Sequence, residues 1–98
     1  MCLAEGEGRN AVWLAEQGLR VTAVDIAEQG MAKARALAAR RGVAIETRVC
    51  DLSEFDPGLA CWDLIVSVFA HLPPRVRAEV HARCVRALVP GGVFLYIG

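Results

Sequence analysis

Two glycines near the start of the chain could bring backbone amides close to a ligand. The segment 3–10 reads Leu-Ala-Glu-Gly-Glu-Gly-Arg-Asn and contains Gly6 and Gly8. Because glycine has no Cβ, the chain can bend tightly there and approach a bound molecule closely. A helix predicted to follow would direct its first N–H groups at the same place, which favours a negative group. Two glycines alone would also fit an ordinary turn between a strand and a helix.

A carboxylate follows at the spacing typical of a sugar-binding acid. Asp25 ends an apolar run and lies seventeen positions after Gly8. In dinucleotide-binding folds, an acid at about this distance accepts hydrogen bonds from the vicinal hydroxyls of a ribose. The alternative is that Asp25 caps the helix predicted to start at Ala27. We favour the ribose role, in which Ile26 could lie flat against a purine ring.

Two further groups of residues follow predicted strands and could complete a nucleoside site. Asp51 could accept a hydrogen bond from the exocyclic amine of an adenine, with Leu52 beside it, or it could only cap a turn. After the next strand, Ser67, Phe69 and His71 could face the reacting end of the ligand. Phe69 could attract a positive group through its ring face, and His71 could act as a general base. A structural histidine bonded to a backbone carbonyl is an equally good interpretation of His71.

The chain alternates between strand-like and helix-like patterns. Short runs rich in valine and isoleucine predict strands buried on both faces at 19–25, 43–49, 64–68 and 93–97. Apolar residues at helical spacing predict helices at 9–17, 27–41 and 74–88, the first two ending at a glycine. Pro90 and Gly91 then fit a type II turn that leads into the last strand. Such alternation predicts one α/β domain over residues 1–98, with a Rossmann-like, doubly wound, mostly parallel sheet of about five strands.

In open α/β sheets, ligands bind at the carboxyl ends of the strands, near the point where the strand order reverses. The candidate residues all follow strands and should therefore converge there. Residues 1–4 resemble only the tail of a first strand, and the chain stops at the end of its last strand, so we expect a domain truncated at both ends. The segment 53–61 is too short for a full crossover helix. We therefore expect an exposed apolar patch on the sheet, through which the chain could self-associate.

Composition excludes several classes of function. Eleven basic residues balance eleven acidic ones, which disfavours binding to nucleic acid or to an anionic membrane surface. The apolar fraction of 55% rules out a disordered segment, and no apolar run approaches the ~18 residues of a membrane span. The four cysteines are far apart and show no metal-ligand spacing, so we expect reduced, mostly buried thiols and no metal. The first residues lack the features of a signal peptide, and we expect a cytoplasmic protein.

Taken in order, these motifs resemble those of class I S-adenosylmethionine-dependent methyltransferases. The resemblance rests on the glycine turn, the acids at Asp25 and Asp51, the Trp-Asp-Leu-Ile-Val strand and the Pro-Gly-Gly turn, and covers nearly the whole chain. The segment 6–15 is most similar to the small-molecule branch that includes tellurite-resistance methyltransferases. The resemblance implies S-adenosyl-L-methionine as cofactor. By it, Gly6 and Gly8 hold the methionine end, Asp25 the ribose and Asp51 the adenine.

The sequence also departs from this family. The acid usually found two positions before the first glycine is replaced by Ala4, and Glu5 could supply a carboxylate for the ammonium of the cofactor instead. There is no Asn- or Asp-Pro-Pro-aromatic motif after the fourth strand. The lack of that motif argues against the amino-methylating DNA and protein enzymes. The resemblance to the small-molecule branch implies methyl transfer to a small-molecule acceptor by in-line displacement.

Two alternatives remain open from the sequence. The pattern Gly6-x-Gly8-x-x-Ala11, with Asp25 behind it, also fits the fingerprint of an NAD(P)-dependent oxidoreductase. Glu5 and Glu7 argue against this reading, because they would repel a pyrophosphate at the helix N-terminus. The second alternative is a catalytically inactive methyltransferase-like fragment or scaffold.

Overall fold

A computed structural model describes residues 1–3, 7–68 and 72–97 of the chain. The described part contains five strands, all parallel, in the order β3-β2-β1-β4-β5, and three helices. The predicted fold class is therefore confirmed. The elements along the chain are β1 Cys2–Leu3, α1 Arg9–Glu16, β2 Thr22–Asp25, α2 Glu28–Arg40, β3 Glu46–Val49, β4 Trp62–Val68, α3 Pro74–Ala87 and β5 Leu88–Ile97.

The strand order reverses between β1 and β4, and the register brings the carboxyl ends of the strands together. Leu3 in β1 pairs with Val24 on one side and with Ser67 on the other. Asp25 pairs with Val49 at the end of β3. The segments that follow β1, β2, β3 and β4 therefore all leave the sheet at one edge, which is where this architecture binds ligands.

Strands β2 and β3 begin three residues later than the apolar runs predict, because each run starts by closing the preceding helix. After α1, the amide of Gly18 donates to Ala15 and that of Leu19 to Leu14. After α2, the amide of Gly42 donates to the carbonyl of Ala39, and the amide of Val43 donates to the carbonyl of Ala38. Both are Schellman motifs with a glycine at positive φ, 92° at Gly18 and 71° at Gly42. Residues predicted to be strand instead satisfy the last helical carbonyls.

Strand β5 begins earlier than predicted, at Leu88, which pairs with Trp62. The predicted turn interrupts it as an irregularity: Gly91 has φ of 82°, the value that the third position of a type II turn requires. Regular pairing resumes where Val93 lies opposite Leu64. The positive φ of Gly91 agrees with the predicted turn, whereas the predicted strand start at 93 was wrong, because β5 already begins at Leu88.

The sheet is covered on both faces by packed apolar side chains. On one face, α1 and α2 cover β1 and β2 with a cluster of Cys2, Ala11, Ala15, Val21, Ala23, Met31, Ala34 and Val66. On the other face, α3 and the segment 52–55 pack on Met1, Leu3, Val24 and Ile65 with Leu52, Phe55, Val80, Cys84 and Ala87. The short 53–61 segment therefore contributes to this second layer through its turn.

Apolar side chains of β5 are exposed on the face of the sheet that α1 and α2 cover at β1 and β2. Leu95 pairs with Val66 and so shares its face, yet Leu95 is 47% exposed and Val93 is 56% exposed. No described helix is long and apolar enough to cross a membrane. Self-association through the exposed residues of β5 stays a prediction.

Candidate functional site

The second glycine of the turn begins α1 and packs against α2. Gly8 is the N-cap of α1, with φ of 88° and ψ of 12°, and its carbonyl accepts the amide of Val12 at 2.9 Å. It is buried, and a Cβ built on it would come within 2.7 Å of the Ala34 Cα. Both its conformation and its surroundings therefore require glycine. Glu5 and Gly6 lie outside the described residues, so their predicted contacts with the ligand stay predictions.

Asp25 lies where a sugar-binding acid would be needed. It follows Val24, the partner of Leu3, and therefore ends β2 beside the point where the glycine turn leaves β1. One carboxylate oxygen, Oδ1, accepts the amide of Ala27 at 3.1 Å, just before α2 begins. This bond closes a short turn before the helix, but the N-cap of α2 is Ala27 and no side chain caps it, so the alternative role of Asp25 as the helix cap is wrong. The ribose role stays a prediction. Ile26 is 65% exposed, which leaves its side chain accessible to a flat ring at this edge.

Asp51 follows β3 and is exposed at the same edge. Its Oδ1 accepts two hydrogen bonds from Ser53, from the amide at 2.9 Å and from Oγ at 2.8 Å. These bonds, the backbone one first, hold the pKa of Asp51 below its usual value of 3.8. Within the described part of the chain, Oδ2 accepts no hydrogen bond. Asp51 therefore presents an ionised acceptor to solvent, which suits an amine donor.

The neighbours of Asp51 differ from the expected arrangement. Leu52 is only 7% exposed and packs into the core under α3, so its side chain belongs to the fold and only its backbone could meet a ligand. The amide of Cys50 donates to the carbonyl of Asp25 at 2.9 Å, which ties the end of β3 to the end of β2. The two acids, Asp25 and Asp51, are thereby held on adjacent strand ends.

The residues expected at the reacting end of the ligand are only partly described. Ser67 is 3% exposed and lies in β4 between Leu3 of β1 and Tyr96 of β5. It is buried in the middle of the sheet, one residue before the carboxyl end of β4. Phe69 and His71 lie outside the described residues. The roles proposed for these three side chains stay predictions.

A cavity of about 710 Å³ lies at the opposite edge of the sheet. It is lined by Thr22, Glu46 and Trp62, which are the first residues of β2, β3 and β4. None of the residues predicted to bind a ligand lines it. We take the carboxyl edge as the candidate site because Gly8, Asp25 and Asp51 each lie after or at the end of a strand that finishes there. In the described residues, no group of His, Cys, Asp and Glu side chains could hold a metal ion.

The turn at Ser53 and Glu54 that Asp51 was predicted to cap, as the alternative to binding an adenine, is present, since Ser53 donates to its carboxylate. Sequence reasoning missed Arg83 of α3, which donates to the carbonyl of Ser53 at 2.9 Å. No sequence signal distinguishes Arg83 from the other arginines of α3.

Comparisons with known proteins agree with this geometry. The profile of a family described as a methyltransferase domain matches residues 1–92. A ubiquinone biosynthesis O-methyltransferase of Paramagnetospirillum magneticum is 34% identical over 95 residues, which are 95% of this chain and 37% of that protein.

Solved structures show the same similarity. The PH0226 protein from Pyrococcus horikoshii OT3 superposes with a TM-score of 0.88 at 29% identity, covering 97% of this chain and 46% of that one. An S-adenosylmethionine dependent methyltransferase from Mesorhizobium loti superposes with a TM-score of 0.85 at 28% identity, and the match covers 97% of this chain and 44% of that one. The chain thus spans less than half the length of these relatives.

Proposed function

Because this chain belongs to the methyltransferase domain family, we propose that it binds S-adenosyl-L-methionine at the carboxyl edge of its sheet and transfers the methyl group to a small-molecule acceptor. The observation that carries the proposal is the position of Asp25, at the end of β2 beside the exit of the glycine turn. Assignment to the tellurite-resistance branch stays a prediction.

The residues of the carboxyl edge suit this cofactor in charge and in shape. Asp25 and Asp51 provide two carboxylates on neighbouring strand ends, held together by the hydrogen bond from Cys50 to the carbonyl of Asp25. Carboxylates accept hydrogen bonds from ribose hydroxyls and from an adenine amine. Ile26 is exposed beside them and offers an apolar surface for the adenine ring. Glu5, Gly6 and Gly8 are proposed to receive the methionine end.

For this reaction the protein mainly has to align the acceptor with the methyl group of the cofactor. When bound, S-adenosylmethionine supplies a methyl group already activated on a sulfonium sulfur. The site then has to orient an acceptor lone pair opposite the sulfur and keep water out, and such alignment is worth ~7–11 kcal/mol. A proton on the acceptor would have to leave, and His71 is the proposed base. Phe69 is proposed to face the sulfonium, where an aromatic ring attracts a cation by roughly 0.5–2 kcal/mol.

Methyl transfer to a small-molecule hydroxyl is the first activity to test. The relative from Paramagnetospirillum is named as an O-methyltransferase of ubiquinone biosynthesis. The formal net charge of zero supports a small molecule over nucleic acid as the acceptor. The four cysteines are far apart in the sequence and show no metal-ligand spacing, which supports reduced thiols, and we propose a cytoplasmic location.

Ligand-dependent thermal stability tests the proposal directly. We expect S-adenosylhomocysteine to raise the melting temperature of the 98-residue chain in a concentration-dependent way, and NAD to leave it unchanged. A preference for NAD would support the oxidoreductase alternative. If neither ligand raises the melting temperature, the inactive fragment or scaffold alternative is supported. Transfer of a labelled methyl group to hydroxyl-bearing small molecules would then test catalysis, with boiled protein as the control.

A further inference from the structure

Arg83 connects α3 to the turn that carries Asp51. Its Nη1 donates to the carbonyl of Ser53 at 2.9 Å and lies 3.5 Å from the carbonyl of Phe55. Nη2 lies 3.8 Å from the carboxylate of Glu79, one helical turn earlier. The side chain of Arg83 is 30% exposed, so most of it is covered by the segment it binds.

The turn after β3 is held by its own backbone hydrogen bonds, by two core side chains and by Arg83. Within the turn, the amide of Glu54 donates to Asp51 at 3.0 Å and that of Phe55 to Leu52 at 3.4 Å. The apolar side chains of Leu52 and Phe55 anchor it to the core. Its polar backbone on the side of α3 is bound by Arg83, whose planar guanidinium can reach two carbonyls at once.

Ser53 is therefore held from both directions. Its carbonyl accepts from Arg83, and its amide and Oγ both donate to Asp51 Oδ1, at 2.9 and 2.8 Å. The bond from Arg83 holds the peptide that follows Ser53, and the two bonds to Asp51 hold the peptide before it and the side chain, so a displacement of Ser53 as a whole would strain all three contacts. The orientation of the Asp51 carboxylate thus depends on a side chain 32 positions later in the sequence.

From this chain of contacts we propose that Arg83 is a positioning residue for nucleobase recognition: through Ser53 it aims the free oxygen of Asp51 at the amine of an adenine. The inference rests on the proposed function, because it needs a nucleoside at the carboxyl edge. Arg83 itself touches no ligand. Its effect should appear as discrimination between bases rather than as a general loss of binding.

The test compares two ligands that differ at the edge of the base that carries the amine, where hypoxanthine has an oxygen at position 6 and a proton on the adjacent N1. S-adenosylhomocysteine carries the amine, and S-inosylhomocysteine carries an oxygen there. We expect the chain to prefer the first by roughly tenfold, the scale of one hydrogen bond to a charged acceptor. In Arg83→Met the ratio of the two dissociation constants should fall towards one. Arg86→Met is the matched control, since Arg86 lies exposed on the same helix, and it should keep the preference of the parent chain.

A second readout needs no ligand. The pKa of Asp51, followed by NMR of its carboxyl carbon, should rise towards 3.8 in Arg83→Met, because Ser53 no longer holds the carboxylate. Arg83→Lys keeps the positive charge but removes the planar guanidinium that places Nη1 at the Ser53 carbonyl and Nη2 at Glu79, so a rise there too assigns the effect to geometry. Arg86→Met should leave the titration unchanged.

The outcomes separate the two proposals. A chain that binds neither ligand, but whose Asp51 titration moves in Arg83→Met, would overturn the proposed function and its nucleobase part while supporting the positioning of Asp51. Unchanged base preference in Arg83→Met would overturn the inference. An equal loss of affinity for both ligands, together with a lower melting temperature, would also overturn it. Such a result would show that Arg83 only stabilises the fold.

Discussion

Gly8, at the start of α1, lies directly against the backbone of Ala34 in α2. A Cβ built on Gly8 would come within 2.7 Å of the Ala34 Cα and closer still to its Cβ. Gly8 also has φ of 88°, a conformation that L side chains adopt at a cost. The residue proposed to receive the methionine end of the cofactor is therefore also the residue that lets α1 pack on α2, which predicts that binding and stability are coupled at this position.

Replacing Gly8 should destabilise the fold more than replacing another glycine at positive φ. For Gly8→Ala we expect a loss of roughly 2–4 kcal/mol in the free energy of unfolding, from backbone strain plus overpacking. Gly42→Ala is the control, because Gly42 has φ of 71° but nothing within 4 Å of an added Cβ. Its cost should be about 1–2 kcal/mol. Urea unfolding measures both, and equal losses would contradict the packing role of Ala34.

Asp25→Asn should weaken cofactor binding without weakening the fold. The asparagine oxygen can still accept the amide of Ala27, which Asp25 binds at 3.1 Å. The charge needed for strong hydrogen bonds to the ribose is lost, which should raise the Kd for S-adenosylhomocysteine about 10- to 100-fold. Calorimetric titration gives the Kd, and Glu28→Gln, exposed nearby on α2, serves as the control. An unchanged Kd in Asp25→Asn would refute the ribose role.

His81 should make the fold less stable as the pH falls below neutrality. Its ring packs edge-on against Phe94 and Tyr96, with centroid distances of 5.1 and 4.6 Å. Burial lowers the pKa of His81 below 6.5, and the nearby charge of Arg77 lowers it further. The unfolded chain therefore takes up a proton first, so stability is complete above pH 6.5 and falls as the pH drops towards the folded-state pKa.

Replacing the histidine by a ring that cannot titrate isolates this effect. His81→Phe keeps an aromatic contact with Phe94 and Tyr96, and its free energy of unfolding should change less between pH 7.5 and pH 5.5 than that of the parent chain. Urea unfolding at the two pH values measures the difference. The idea fails if both proteins lose the same amount.

The thiols should differ in reactivity according to their burial. Cys84 is 1% exposed, and burial raises its pKa to about 11. At pH 8 only about one Cys84 thiol in a thousand would be a thiolate, the reactive form. Cys61 is exposed. Iodoacetamide should therefore alkylate Cys61 in the folded chain and Cys84 only after denaturant is added, as mass spectrometry of peptides can show. Labelling of Cys84 in folded Cys61→Ser would contradict this packing.

The sequence by itself determined the order of the elements and the class of the fold. Apolar runs and helical spacing are local properties, and so are the glycines that end α1 and α2, which is why alternation of strand and helix was readable. The position of Asp25 at a strand end was predictable for the same reason. Apolar content misplaced the starts of β2 and β3, because Leu19 and Val43 satisfy the carbonyls of the preceding helices, and hydrophobicity does not reveal that hydrogen bonding.

Only the tertiary structure decided which residues support the candidate site. The hydrogen bond from Arg83 to Ser53 joins residues 30 positions apart in the sequence. Gly8, at the start of α1, packs against Ala34 in α2. Leu52, adjacent to an exposed acid, turns into the core. Such contacts arise when α3 and α2 pack on the sheet, since packing brings together surfaces whose residues carry no sequence signal of their partners.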